Sequence, residues 1–198
     1  MAAELVAASV DFDGVLFPRF PAQMAILKWA FNPIGYRKPF KAGPDLTEEQ
    51  KAMNYERLTQ GEFDDFKGHQ ARMVKPGTRE FLLSLGTDAI FGNTGRKNNL
   101  YWVRMTERNL KTGGVDDLFK EIYFKPQGVS SDEGKYWNIR AIKDRGFKVR
   151  HFDDNAYLIE QLAPEFPDDE FVLVEDYSSW LLYHPWLRRP NVSSIRLP

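Results

Sequence analysis

Leu5 to Val10 is a short apolar run, partly β-branched, and predicts a buried strand that ends at Asp11. The next unit opens at Lys75-Pro76-Gly77, where proline suits a first helical turn and Phe81, Leu82 and Leu85 supply one apolar face. Ala89-Ile90-Phe91 reads as a second strand, ending in Gly92-Asn93-Thr94-Gly95-Arg96. A helix is expected from about Asn98 to Lys111, with Leu100, Val103 and Leu110 on one side and Gly113-Gly114 as its stop. Ile122-Tyr123-Phe124 is a third strand. From Asp132 to Arg145 a helix carries Tyr136, Ile139 and Ile142 at spacings of three and stops at Gly146. Phe147 to Phe152 predicts a fourth strand running into Asp153-Asp154. A short helix from Tyr157 to Leu162 closes before Pro164, and Phe171 to Val174 is a fifth strand.

Strands that alternate with helices imply crossover connections and a parallel sheet. The expected class is therefore α/β, a Rossmann-like sheet of about five strands flanked by helices. Residues 15–74 interrupt the alternation. They hold an expected helix near Ala22 to Phe31 and another from about Thr47, where Thr47-Glu48-Glu49-Gln50 has the form of a capping box. The chain thus divides into a core domain, 1–14 with 75–198, and a small helical cap insertion, 15–74, after the first strand.

Composition narrows the chemistry. With 198 residues, 42% of them hydrophobic and 28% charged, the chain has an ordinary globular balance. A formal net charge of −1 gives no overall bias toward nucleic acid or acidic membranes. The absence of cysteine removes disulfides, thiol nucleophiles and zinc–cysteine sites. No apolar run approaches the roughly 20 residues of a membrane span. Glu4 and the missing basic region argue against a targeting segment, so a cytoplasmic location without membrane partners is expected. The sequon Asn191-Val192-Ser193 is then inert.

Asp11, Thr94 and Asp153 each follow a predicted strand, and ligands of parallel sheets gather at the carboxyl ends of strands. A lone Asp-x-Asp-Gly is more often a turn than a catalyst, and Asp153-Asp154 alone reads as a solvated pair. Two acidic pairs at one sheet edge repel each other and invite a hard divalent cation, for which Mg2+ fits best.

These residues bring a resemblance into view. Asp11-Phe12-Asp13-Gly14-Val15, Thr94-Gly95-Arg96, a lysine at a helix start and Asp153-Asp154 resemble, in order, the four motifs of the haloacid dehalogenase superfamily of phosphatases. The likeness covers about 10–175 outside the insertion. Two lysines compete for the third motif. Lys125-Pro126 abuts a strand, whereas Lys135 lies near the start of a helix in Lys135-Tyr136-Trp137-Asn138-Ile139, a setting similar to polynucleotide phosphatases of that superfamily, which with its nucleotidases the chain resembles in part. Lys135 is preferred, because a helix start favours anions.

The resemblance implies a magnesium-dependent phosphomonoester hydrolase in which Asp11 attacks phosphorus and forms an aspartyl-phosphate. Asp13 is implied as the acid and base. Mg2+ would be held by the Asp11 side chain, the Asp13 backbone carbonyl, Asp153 and Asp154. Thr94 and Lys135 would hold phosphoryl oxygens, with Gly14, Gly95 and Arg96 around the phosphate. Asp13 favours ester hydrolysis over dehalogenation, since a halide leaves without a proton. The alternatives are a phosphomutase with the same acid, or a catalytically retired member serving as a binding or structural protein.

The insertion carries Arg19, Lys28, Arg37, Lys38 and Lys41 interleaved with Phe17, Phe20, Trp29, Phe31, Tyr36 and Phe40. One reading is a cap with its own aromatic core and solvated cations. The other is recognition of a nucleotide or polynucleotide phosphate, by charge and base stacking. For His151, directly before the Phe152-Asp153 strand end, two readings stand, a partner behind the site or a buried, satisfied imidazole, and the second is preferred; His69 and His184 lack ligand spacing. The aromatic tail Trp180 to Trp186 is expected to pack on the body.

Overall fold

A computed structural model of the chain describes residues 4–17, 74–175 and 190–196. The helices expected near 22–31 and from 47, the basic and aromatic side chains of 17–41 other than Phe17, His69, His184 and the tail 180–186 lie outside the described residues. The elements are β1 (Val6–Val10), α1 (Thr78–Ser84), β2 (Ala89–Lys97), α2 (Leu100–Thr112), a 3-10 turn (Asp116–Leu118), β3 (Glu121–Lys125), α3 (Ser131–Lys143), β4 (Lys148–Asp153), α4 (Ala156–Leu162), β5 (Glu170–Val174) and β6 (Val192–Ile195).

All five strand pairings are parallel, and the sheet order is β3-β2-β1-β4-β5-β6. Chain order reverses across β1, which lies between β2 and β4. Such a switch point opens a crevice at the carboxyl ends of the strands. Alternation along β1 divides the core. Ala7 faces a layer with Phe91, Val149 and Phe171 under α3 and α4, through Ile139, Ile142, Leu158 and Leu162. Ala8 and Val10 face the opposite layer, with Leu82 of α1, Leu110 of α2, Phe152 and Val172. Full burial of one such large side chain is worth about 1.5–3 kcal/mol.

Val15, Leu16 and Phe17 are fully buried in this second layer, and the turn is tied by the Phe17 and Leu16 amides donating to the Phe12 carbonyl (2.8 and 3.0 Å). The start of the interval assigned to the insertion thus packs on the core.

Three helix starts follow side-chain chemistry. Asn99 accepts from the Trp102 amide at α2, and Asn155 accepts from the Leu158 amide at α4. Ser130 and Glu133 form a reciprocal capping box at α3, a pattern that the expected start at Asp132 passed over. α1 begins after Gly77, whose φ of 75° caps the helix one residue beyond Pro76.

Two differences from expectation have physical reasons. β2 runs on through Lys97, because Asn93 and Thr94 continue to pair with Tyr123 and Phe124 of β3 before the register shifts. Asn93 and Thr94 are fully buried there, and the Asn93 side chain is satisfied by Ser9, Asn138 and the Lys135 carbonyl. The sheet also has a sixth strand. β6 is an edge with exposed Ser193 and Ser194, so it shows no apolar run, yet it pairs with β5 from Val192 to Ile195. Its preceding Asn191 is anchored, its amide nitrogen donating to the carbonyls of Ala163, Phe166 and Asp169. Among the described residues no helix is long and apolar enough to cross a membrane.

Candidate active site

The β1 ladder continues one residue past the strand, the Asp11 amide donating to the Phe152 carbonyl at 2.9 Å. This fixes Asp11 at the sheet edge beside the end of β4, which delivers Asp153 and then Asp154. All three carboxylates are buried, and one oxygen of each lies within 4.8 Å of the others.

Lys135, in the second turn of α3, enters the same cluster. Its Nζ sits 2.9 Å from Asp11 Oδ2 and 2.6 Å from Asp153 Oδ2. Lys125 instead donates to the Val129 carbonyl at 3.0 Å. Of the two competing lysines, only Lys135 joins the acids.

Three carboxylates and one ammonium leave two negative charges uncompensated among these four groups. Burial accordingly pushes the Asp11 carboxyl up to about 7, against the pull of Lys135 and with the charges of Asp153 and Asp13 adding to the rise. Burial opposes the charge of Lys135 too, but Asp11 and Asp153 outweigh it and hold the ammonium well above its ordinary range. Asp153 goes the other way. Burial would raise it, yet the Lys135 charge and the contact with His151 hold it below the usual carboxylate range. An all-oxygen set with excess negative charge is what a hard divalent cation requires, so the residues present fit Mg2+.

Glycine admits Asp154 to the cluster. A Cβ built on Gly14 would stand 1.6 Å from Asp154 Oδ2, and Gly14 has φ 96°, a conformation side chains rarely adopt. The Gly14 amide, expected near the phosphate, donates to the Phe17 carbonyl at 2.8 Å and closes its own turn. Lys75 Nζ donates to the Gly14 carbonyl. Lys75 stands 61 positions from Gly14, so no local pattern announces the pairing.

Thr94 is fully buried, and its hydroxyl accepts from the Arg96 amide at 3.2 Å while keeping its own hydrogen to donate. Gly95 lets β2 approach α3, since a Cβ there would stand 2.9 Å from Ser131 Oγ. Arg96 is placed differently from its expected fork on phosphate. It forks onto Asp13, with Nε 3.0 Å from Oδ2 and Nη2 2.8 Å from Oδ1, while Nη1 donates to Thr106 Oγ1 at 2.8 Å. Its guanidinium lies 4.8 Å from the Phe17 ring centre and 5.7 Å from that of Trp102. The Asp13 side chain is therefore drawn toward Arg96 and is not part of the three-carboxylate cluster.

His151, for which a satisfied core imidazole is preferred over a partner behind the site, is fully buried and also contacts the site through Nε2, 3.2 Å from Asp153 Oδ2. The available signal was its place two residues before Asp153 in one strand, which puts both side chains on one face.

No protein-family model matches the sequence, and no curated protein matches it. Solved structures do match in fold. A predicted phosphatase from Clostridium acetobutylicum aligns with a TM-score of 0.55 at 13% identity, over 98% of this chain and 95% of its own. A haloacid dehalogenase-like hydrolase from Streptococcus pneumoniae aligns at 0.53 and 14% identity, over 96% and 94%. An L-2-haloacid dehalogenase aligns at 0.54 and 16%, over 97% and 95%. The fold is haloacid dehalogenase-like. At these identities the likeness is one of fold. Within the haloacid dehalogenase-like fold, the acidic cluster of Asp11, Asp153 and Asp154 sits at the carboxyl edge of the sheet, beside the switch point.

Proposed function

We propose that this chain is a magnesium-dependent phosphomonoesterase that works through an aspartyl-phosphate on Asp11. The observation that carries the reading is Lys135 Nζ lying between Asp11 Oδ2 and Asp153 Oδ2, beside Asp154. A nucleophile, a phosphate-binding cation and a divalent-cation cradle then occupy one place.

Asp11, Asp153 and Asp154 would hold Mg2+, together with the Asp13 backbone carbonyl. The bound ion supplies positive charge that lets a phosphate dianion approach three carboxylates. A carboxylate oxygen of Asp11 attacks phosphorus as the ester P–O bond breaks. Asp13 gives its proton to the leaving alkoxide. A water then attacks the aspartyl-phosphate, Asp13 takes the water's proton, and the bond between phosphorus and Asp11 breaks to free inorganic phosphate. The Thr94 hydroxyl and the Lys135 ammonium, in the second turn of α3, hold the phosphoryl oxygens through both halves.

The substrate we favour carries negative charge beyond the phosphate, as a nucleotide or polynucleotide end does. Lys97 and Lys125, register partners on β2 and β3, stand side by side at the carboxyl ends of these strands. On this reading 1–14 with 75–198 form the catalytic core, and the insertion 15–74 contributes Arg37 and Lys38 to recognition.

The test is hydrolysis with Mg2+ across aryl phosphate, sugar phosphates, nucleotides and 3′-phosphorylated oligonucleotides, alongside Asp11→Asn. Activity should vanish in Asp11→Asn and in excess chelator; full activity in either overturns the mechanism. A wild type silent on every phosphate supports the retired, non-catalytic reading. Lys97→Gln with Lys125→Gln should weaken nucleotides more than the aryl phosphate, and equal losses would remove the substrate preference. Release of a rearranged sugar phosphate instead of inorganic phosphate would mark a phosphomutase.

A further inference from the structure

Beneath the cluster runs a chain of polar side chains inside an apolar layer. Asn138 Nδ2 of α3 donates to Asn93 Oδ1 (2.9 Å), and Asn93 Nδ2 donates to Ser9 Oγ (3.1 Å). Ser9 Oγ lies 3.0 Å from His151 Nδ1, and His151 Nε2 lies 3.2 Å from Asp153 Oδ2. Ser9, Asn93, His151 and Asp153 are fully buried and Asn138 nearly so. Ser9 and His151 are register partners on β1 and β4, which places their side chains on one face of the sheet. Around them that face is lined by Ala7, Phe91, Val149 and Phe171.

Apolar residues of similar shape would fill this layer at little or no cost to stability, because a buried hydrogen bond contributes only about 1 kcal/mol net. A polar chain here calls for a use, and it terminates on a carboxylate of the cation cradle. Two nitrogens meet Asp153 Oδ2, Lys135 Nζ at 2.6 Å and His151 Nε2 at 3.2 Å, while Oδ1 accepts from the Asn155 amide at 2.8 Å. At the other end of the ring, Nδ1 lies 3.0 Å from Ser9 Oγ and 3.1 Å from the Ser9 carbonyl oxygen. Lys135 is shared with Asp11 on a flexible stem. The imidazole, two residues back on the same strand, is the rigid member of the set.

We propose that His151, oriented by Ser9 and Asn93, is a positioning residue that aims the Asp153 carboxylate at the divalent cation. The proposal rests on the cation cradle of the functional reading, and it is tested by binding, not turnover. Ligand-orienting partners of this kind are typically worth about 10- to 100-fold in metal affinity.

The experiment titrates Mg2+ into the intact metal-free protein by calorimetry, and measures the Mg2+-induced rise in Tm. His151→Leu should weaken Mg2+ by about 10- to 100-fold. His151→Gln, whose amide can restore a donor near the Nε2 position, should recover most of that loss. Ser9→Ala should shift affinity in the same direction by less, and it serves where His151→Leu fails to fold. A purely structural residue would lower Tm equally with and without Mg2+ and leave the affinity unchanged. That outcome in His151→Leu, or in Ser9→Ala where it stands in, overturns the proposal, as does a wild type that binds no Mg2+. A wild type with His151-dependent Mg2+ binding that hydrolyses no phosphate sinks the phosphatase reading and leaves the positioning role standing.

Discussion

Arg96 grips Asp13 through two parallel hydrogen bonds, 3.0 and 2.8 Å, and the two partners differ sharply in exposure, 5% for the arginine side chain and 40% for the aspartate. The buried member is the better anchored. A third bond to Thr106 and two aromatic rings fix the guanidinium, so Arg96 sets where the more open carboxylate sits.

This relationship separates two roles for Arg96 by leaving group. Asp13 matters most when the departing oxygen is a poor leaving group that needs a proton, and least for nitrophenolate. Arg96→Ala should lower kcat/KM on an alkyl phosphate within the roughly 10²–10⁴-fold that acid–base help supplies. Its kcat/KM on 4-nitrophenyl phosphate, which reports the first half alone, should fall far less, while the hydrolysis half that Asp13 also serves slows equally for both. Arg96→Lys should resemble Arg96→Ala, because an ammonium cannot make the fork. A rise in KM for both substrates with equal losses would mean that Arg96 binds phosphate.

Gly14 gives a second prediction, in which steric contact and backbone strain can be told apart. Gly14→Ala places a methyl where Asp154 Oδ2 now lies, at φ 96°. Such a conformation costs a non-glycine residue about 1–3 kcal/mol. Gly128→Ala is the control, with φ 77° and nothing within 4 Å of its Cβ. Both variants should melt lower in chelator. Only Gly14→Ala should also lose most of the Mg2+-induced rise in Tm, as Asp154 is displaced. An undiminished rise in Gly14→Ala would detach Asp154 from the cation.

The order of strands and helices was readable because apolar runs and turn residues mark each one locally. The candidate carboxylates were readable too, since each follows a strand that a parallel sheet must bring to one edge. Partnerships made across the sheet were not. Nothing near Arg96 in sequence announces Asp13, 83 positions away, and Lys135 meets Asp11 only because α3 packs its first turns over β2. β6 escaped for a related reason, as an edge strand with two exposed serines is defined by its neighbour and not by its own hydrophobicity. Gly14 was legible as part of a motif, but its closeness to Asp154 arises only where β1 and β4 end side by side.

The third prediction concerns Asp11 in the metal-free protein, where a raised pKa becomes a stability effect. In the folded chain Asp11 titrates at about 7, against an ordinary value of 3.8. Below the ordinary value both states are protonated and Asp11 is neutral to stability. Between the two values the unfolded chain releases its proton while the folded one retains it, so stability falls as pH rises; above about 7 the cost is constant. Asp11→Asn removes that cost, and Lys135 keeps its 2.6 Å partner in Asp153. In chelator the variant should therefore gain on wild type as pH moves from 4 to 8, by a few kcal/mol at most, at about 1.4 kcal/mol per pKa unit. Saturating Mg2+ should reverse the order at pH 8, because the ion stabilises the ionised carboxylate that asparagine lacks. The check is a set of melting curves for both proteins across that range, with and without the ion. A difference in Tm that ignores pH in chelator would show that Asp11 does not carry the strain of the buried charge.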